Sequence, residues 1–316
     1  MGEFELIRQY FQPLAAEAMT DQLVLGPGDD CAIQRVPPGQ DLVFSVDTLV
    51  EGVHFPLNYS PVYLGWRALA VAASDLAAMG ATPACFTLAL SMPAADPDWL
   101  SGFADGLARA SRAFAITLAG GDTTRGPLTI SIQVHGTVAE GEAIRRSGAR
   151  PGDLICVSGP LGGAGAALAF LEDEAPDPVR QAVLARYHFP EPRLVLGQQL
   201  IGRASAAIDI SDGLLADLQH ILDASAVGAE LDASKIPMMP ELEQLHSDQS
   251  LNLALTAGDD YELCVTIAPE ILAGLTPALQ SVLTVIGQIR QEPGLRLVGA
   301  DLAEMRPGFD HFGRLV

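Results

Sequence analysis

Residues 41–48 alternate strictly, with Leu42, Phe44 and Val46 on one side and Val43, Ser45 and Asp47 on the other. A period of two predicts a strand, and it sets Ser45 and Asp47 on a common face where both can meet one ligand. A second alternating run covers 129–138, where Thr129, Ser131, Gln133 and His135 oppose Ile130, Ile132 and Val134. Helical spacing predicts helices over 3–19, 65–79 and 98–114. The second of these is apolar nearly all round and is closed by Gly80 and Pro83. A strand over 115–119 and a turn from Gly120 to Gly126 complete the first half.

Turn chemistry at Ala149-Arg150-Pro151-Gly152-Asp153 introduces a new apolar strand, Leu154 to Val157, so a domain boundary is expected near 148. Two domains, 1–148 and 149–316, follow. The run from Ser158 to Gly165 is glycine-rich but lacks the Lys-Ser/Thr of a Walker A loop. A tight strand-to-helix turn is its default reading, with direct phosphate contact the alternative. The helix after it should reach about Leu171, and 172–192, acidic and proline-flanked, reads as a surface excursion. A strand over 206–210 sets Asp209 and Ser211 on one face and leads through Asp212-Gly213 to a helix ending near Ala224, which Asp212 is placed to cap. Gly258-Asp259-Asp260 precedes an alternating strand over 261–267. The class is α/β (α+β).

Length and composition narrow the picture. At 316 residues and 49% apolar content the chain exceeds what one core usually serves and is not a disordered segment. With 39 acids against 18 bases its formal charge is −21, which argues against nucleic acid or an anionic membrane as a partner, and an anionic substrate would need metal screening. Cys31, Cys85, Cys156 and Cys264 follow no CxxC spacing and are expected as reduced core residues. Neither a signal peptide nor a membrane span is legible, so a cytoplasmic protein is expected.

The chemistry lies in aspartates set among small residues: Gly28-Asp29-Asp30, Ser45-Val46-Asp47, Asp75, Gly120-Gly121-Asp122, Asp209-Ile210-Ser211-Asp212-Gly213 and Gly258-Asp259-Asp260. Carboxylate oxygens suit Mg²⁺, and small neighbours let a polyphosphate approach, so the set reads as a multi-metal nucleotide site for phosphoryl transfer. Asp75 is the sole acid between Gly65 and Ala95; in an apolar helix it is either a satisfied core group or a site ligand.

The phrases Gly26-Pro27-Gly28-Asp29-Asp30-Cys31-Ala32, Ser45 to Phe55, Ala119 to Gly126, Asp209 to Leu214 and Gly258 to Leu263, with the closing Gly308-Phe309-Asp310-His311-Phe312, resemble the thiamine-monophosphate kinase family over essentially the full length. The resemblance implies a two-domain aminoimidazole ribonucleotide synthetase-like fold, its N-terminal sheet used for dimerisation and its C-terminal α/β domain completing the nucleotide and substrate site. It implies transfer of the γ-phosphate of ATP to thiamine monophosphate, the final step of thiamine diphosphate biosynthesis, with several Mg²⁺ ions required and K⁺ often helpful, in a homodimer. Asp30, Asp47, Asp75, Asp122, Asp209 and Asp212 match the family's metal-binding acids, with Ser45 and position 46 as further ligands. Gly121, Asp122, Arg146 and Ser211 match nucleotide contacts, and His54, Asp260, Glu262 and Phe309 match the substrate side. Val46 departs from the common Ser-Thr-Asp form, so only a main-chain carbonyl can serve there.

The bland readings stand beside these: His54 as a hydrogen-bonded structural histidine, Arg146 as a solvated linker charge, and Phe309 or Phe312 as closing the core. No general base is expected, because the acceptor is already an ionised phosphate oxygen. Rival functions are another ATP-dependent enzyme of the superfold, of aminoimidazole ribonucleotide or selenophosphate synthetase type, and a non-catalytic metal- or nucleotide-binding protein.

Overall fold

The computed structural model describes residues 2–16, 20–302, 305 and 308. The chain forms two compact units, one of residues 1–76 and 81–143 and the other of residues 77–80 and 144–316.

The expected continuous helix over 3–19 is broken into α1 (Glu3–Leu6), a π turn over Ile7–Phe11 and a 3₁₀ segment over Gln12–Ala16. Pro13 lies in the last piece, where its missing N–H cannot continue an α-helical ladder. A two-stranded ribbon follows, β1 (Leu23–Leu25) against β2 (Ile33–Gln34). The main sheet of the first unit contains β3 (Gln40–Val50), β4 (Thr82–Met92), β5 (Thr117–Arg125) and β6 (Thr129–Ala139), in the order β3-β6-β4-β5. Helix α2 (Pro61–Ala78) and helix α3 (Pro97–Phe114) join these strands, and α2 packs on the sheet where Gly136 of β6 faces Leu76. Neither helix could approach the other without glycine: a Cβ on Gly65 would lie 2.2 Å from the Phe103 carbonyl oxygen, and one on Gly106 would lie 2.0 Å from that of Val62.

Alternation in β3 is as the sequence predicts, with Val43 and Leu49 buried toward α2 and Leu42, Phe44 and Val46 exposed on the open face. The segment from Gly120 to Arg125 is not a turn. It continues β5, pairing with Thr87–Met92 of β4, and a Cβ on Gly121 would fall 1.9 Å from the Leu88 carbonyl oxygen. The missing side chain therefore lets the strand run on.

The second unit is a six-stranded sheet of β7 (Leu154–Val157), β8 (Ala204–Asp209), β9 (Gly228–Asp232), β10 (Leu263–Ile267), β11 (Thr284–Arg290) and β12 (Gly294–Val298), in the order β12-β9-β11-β7-β10-β8. Its helices include α4 (Gly163–Ala167), α5 (Pro178–His188), α6 (Leu194–Leu200), α7 (Leu214–Ser225), α8 (Leu242–His246) and α9 (Ser250–Thr256). Ile155, Val157, Ile208, Leu214, Leu218, Ile221, Leu231 and Ile286 build the core.

Three expectations change here. The surface excursion over 172–192 holds α5, started by Pro178 and capped by Asp177, whose side chain accepts from the N–H groups of Val179 and Arg180. The alternating strand over 261–267 is shorter and buried throughout, because β10 lies between β7 and β8. Cys31 is exposed in its turn, while Cys85, Cys156 and Cys264 are buried thiols as expected.

Candidate functional site

In the first unit the structure brings together Ser45, Asp47 and Asp75. Two-residue spacing on β3 aims Ser45 and Asp47 at α2, and the Ser45 hydroxyl donates to Asp75 Oδ2. Burial, with the charge of Asp75 added, pushes the Asp47 carboxyl up to about 7. Such a pair of carboxylates is relieved by a cation, and oxygen donors of this kind fit a hard divalent one. The Val46 side chain is 62% exposed on the opposite face, so position 46 can offer only its main chain to this group.

Asp30 and Asp122 lie apart from it. Asp30 is exposed in a turn where its N–H donates to Asp29 Oδ1 at 2.8 Å and where Gly28 has φ +125°. Gly121 and Asp122 are on β5, at the edge opposite β3, about 14 Å across the strands from Asp47. Among the described residues no three His, Cys, Asp or Glu side chains converge as a cation cage. The structure thus assembles the acids in pairs and singly.

His54 follows β3 in a turn closed by its own N–H to the Val50 carbonyl. Its Nδ1 accepts from the Val50 N–H at 2.9 Å, which fixes the ring proton on Nε2 and makes that atom a donor.

In the second unit two of the acidic motifs are laced together. Ile210 N–H donates to the Glu262 carbonyl at 2.8 Å, Tyr261 N–H to the Ile210 carbonyl at 2.8 Å, and Asp259 N–H to the Ser211 carbonyl at 2.9 Å. The second motif is bent to do this, with φ +70° at Asp259 and +51° at Tyr261 on either side of Asp260. Asp209 is buried at the end of β8. Asp212 does not cap α7. Instead Asp217, in the helix's first turn, reaches back and accepts at one oxygen from the N–H groups of Ser211, Asp212 and Gly213.

Asp260 is buried and its Oδ2 accepts from Gly162 N–H at 2.7 Å, while Oδ1 has no partner among the described residues. Burial pushes this carboxyl up to about 7 against the Gly162 bond. Glu262 is wholly buried and meets the Ser158 hydroxyl at 2.5 Å, Arg186 Nη2 at 2.6 Å and Arg193 Nε at 2.7 Å. Burial alone would raise it, but the Arg193 bond and charge, the Ser158 hydroxyl and Arg186 hold it below the usual carboxylate range. These contacts give two glycines of the run over 158–165 a role in a tight turn: a Cβ on Gly159 would lie 2.5 Å from the Glu262 carboxylate, and the Gly162 N–H is taken by Asp260.

The Arg146 side chain is exposed, and its carbonyl accepts from the Ser225 hydroxyl, which also receives the N–H groups of Gly148 and Ala149. A Cβ on Gly308 would meet the Asp212 carbonyl oxygen at 2.7 Å, so the chain arrives at the Asp212 turn just before Phe309. Phe309 and Phe312 lie outside the described residues.

The sequence reading missed Ser158, Arg186, Arg193 and Asp217. Asp177-Pro178 was the available signal for a helix carrying Arg186; nothing in the sequence pairs either arginine with Glu262.

Comparison with known proteins gives a consistent result. Residues 28–138 match the model of the AIR synthase related protein N-terminal domain, and residues 150–300 match that of its C-terminal domain. The thiamine-monophosphate kinase of Escherichia coli (strain K12) is 43% identical, with 98% of each chain covered. The crystal structure of thiamine-monophosphate kinase from Stenotrophomonas maltophilia K279a superimposes with a TM-score of 0.86 at 42% identity, covering 95% of this chain and 97% of that one. AaThiL complexed with AMPPCP and TMP superimposes with a TM-score of 0.81 at 30% identity, covering 98% and 97%.

Proposed function

The chain belongs to the AIR synthase related family, among its thiamine-monophosphate kinases, and from that premise we propose the following reading of its site. The protein phosphorylates thiamine monophosphate with ATP, giving thiamine diphosphate and ADP. On the geometry, the observation that carries this reading is the pairing of Asp47 with Asp75 beside the Ser45 hydroxyl, an oxygen set whose repulsion a divalent cation relieves.

Mg²⁺ would be held by Asp47 and Asp75 with Ser45 and the Val46 carbonyl, and by Asp30, Asp122, Asp209 and Asp212 at further positions. Bound there, it neutralises the charge that ATP and the acceptor phosphate bring to an acidic protein. K⁺, where bound, would add to the same balance as a monovalent ion.

The side chains orient the reactants. His54 Nε2–H donates to the acceptor phosphate, which the fixed tautomer supports. Arg146, exposed and with a guanidinium suited to bidentate bonds, holds nucleotide phosphate oxygens, and Gly121, Asp122 and Ser211 supply further nucleotide contacts. Asp260 belongs to the motif that meets the thiamine moiety, against which Phe309 packs. Glu262 acts through the turn that carries Asp260. The acceptor oxygen attacks the γ-phosphorus in line as the bond from that phosphorus to the β–γ bridging oxygen breaks and ADP leaves, with no general base and no phosphoenzyme.

Leu42, Phe44 and Val46, exposed at 40%, 61% and 62% on one sheet face, support a homodimer formed through that face. Among the described residues no helix is long and apolar enough to cross a membrane, and with the charge of −21 this supports a cytoplasmic enzyme without membrane or nucleic-acid partners.

The test is ATP and Mg²⁺ with thiamine monophosphate, thiamine or an aminoimidazole-type acceptor offered separately. Thiamine diphosphate formed from thiamine monophosphate alone is the expected product; ADP release with only a different acceptor would keep the fold and replace the substrate.

A further inference from the structure

Residues 145–148 form neither helix nor strand, so their backbone groups must find partners one by one. They are exposed, between the buried Ile144 and Ala149. β8 is a terminal strand of the second unit's sheet, and the segment lies along its free edge: Ala207 N–H donates to the Arg145 carbonyl at 3.1 Å, and a Cβ on Gly148, whose φ is +127°, would lie 2.4 Å from the Ser205 carbonyl oxygen. The segment therefore runs opposite to β8, and its Arg145 end is the one nearer Asp209, the last residue of that strand.

Ser225, the last residue of α7, fastens the same segment from a second direction. Its hydroxyl donates to the Arg146 carbonyl at 3.2 Å and accepts from the N–H groups of Gly148 at 3.1 Å and Ala149 at 3.2 Å. A serine hydroxyl has one O–H to give and two lone pairs to offer, and all three are used on this one stretch of backbone. The helix does not need that hydroxyl for its own end, which Ala226 closes in the left-handed conformation with its N–H on the Asp223 and Leu222 carbonyls.

We propose that Ser225 is a positioning residue for Arg146: it holds the 145–149 backbone so that the guanidinium starts from a fixed point when it takes up nucleotide phosphate. This rests on the reading of Arg146 as a nucleotide contact. An exposed arginine keeps its rotamer freedom until it binds, and a loose backbone beneath it would add a further ordering cost to binding. Because the segment is exposed, water replaces the lost bonds when the hydroxyl is removed, so the loss falls on the order of the segment and not on the fold.

The experiment compares the full chain as wild type, Ser225→Ala, Arg146→Ala and the double variant. Calorimetry gives the affinity for the Mg²⁺ complex of a non-hydrolysable ATP analogue, and steady-state kinetics give KM and kcat. Ser225→Ala should weaken the analogue about 3- to 10-fold and raise KM for ATP by more than it lowers kcat. In the Arg146→Ala background the same change should have no further effect, since residues that act as one unit are not additive. Wild-type affinity in Ser225→Ala beside an impaired Arg146→Ala overturns the inference and leaves the kinase reading standing. A loss that repeats in full in the Arg146→Ala background overturns it too, because the hydroxyl would then act only on stability. Wild-type affinity in Arg146→Ala removes the arginine from the nucleotide site and the inference with it, while turnover of thiamine monophosphate still judges the kinase reading. Should Ser225→Ala fail to fold, Ser225→Cys, whose thiol is a weak donor and acceptor, decides by the same comparisons.

Discussion

Arg193 grips Glu262 at two points, Nε to Oε2 at 2.7 Å and Nη2 to Oε1, from a stretch of chain 69 residues earlier. Glu262 has no exposed surface, so the charge it keeps depends on this fork, on Arg186 and on the Ser158 hydroxyl. Removing one partner of a buried ion pair strands the other, and here a second arginine limits the loss.

Arg193→Ala should destabilise the fold by about 2–3 kcal/mol, and Arg193→Lys, a point charge without the fork, by less. Because Glu262 anchors the turn that carries Asp260, the lysine variant should raise KM for thiamine monophosphate more than it lowers kcat. Equal loss in both parameters, or none in either, would show that the clamp only stabilises. Urea titration and steady-state kinetics supply the numbers.

Asp47→Asn should separate stability from activity. The substitution keeps the side chain's shape and removes its repulsion with Asp75, so the protein should gain about 1 kcal/mol while turnover with ATP and Mg²⁺ is abolished. Retained turnover would remove Asp47 from the metal site. A drop in melting temperature would mean that the two carboxylates do not repel in the native protein.

Asp260 predicts a pH dependence. Burial raises its folded value from 3.8 to about 7, so between these values the native state holds a proton that the unfolded chain has released. Its stabilising effect is full below about pH 4 and declines toward about pH 7, at up to about 1.4 kcal/mol per unit. Asp260→Asn lacks this slope. Unfolding free energies of wild type and variant at about pH 5 and about pH 8 should therefore differ in the variant's favour at the higher pH; an unchanged difference would show that Asp260 is an ordinary ionised carboxylate.

Phe44→Asp tests the open sheet face. Phe44 is 61% exposed in the single chain, so the change should alter a monomer's stability by no more than about 0.5 kcal/mol. In a homodimer built on this face it buries a charge in an apolar interface, and sedimentation should show monomers. A wild type that is itself monomeric, or a variant that remains dimeric, would move the interface elsewhere.

The sequence by itself determined what local periodicity and short motifs can carry. Period two in 41–48 set Ser45 and Asp47 on one face of β3, and the structure keeps that division with Phe44 and Val46 on the other. The family and its reaction were legible in the same way, because phrases such as Gly258 to Leu263 are contiguous. Tertiary structure alone decided what depends on close approach between distant segments. Gly121 extends a strand where the sequence reads a turn, because the Leu88 carbonyl crowds its missing Cβ. Arg186 and Arg193 look like solvated charges in an acidic stretch until β10 buries Glu262 beneath them. Asp217 looks like one acid more on a helix, and only the packing that buries it turns its carboxyl onto the N–H groups of 211–213. Side-chain periodicity is a property of the local backbone, whereas burial, ion pairing and backbone crowding arise only when residues far apart in sequence are brought within a few ångströms.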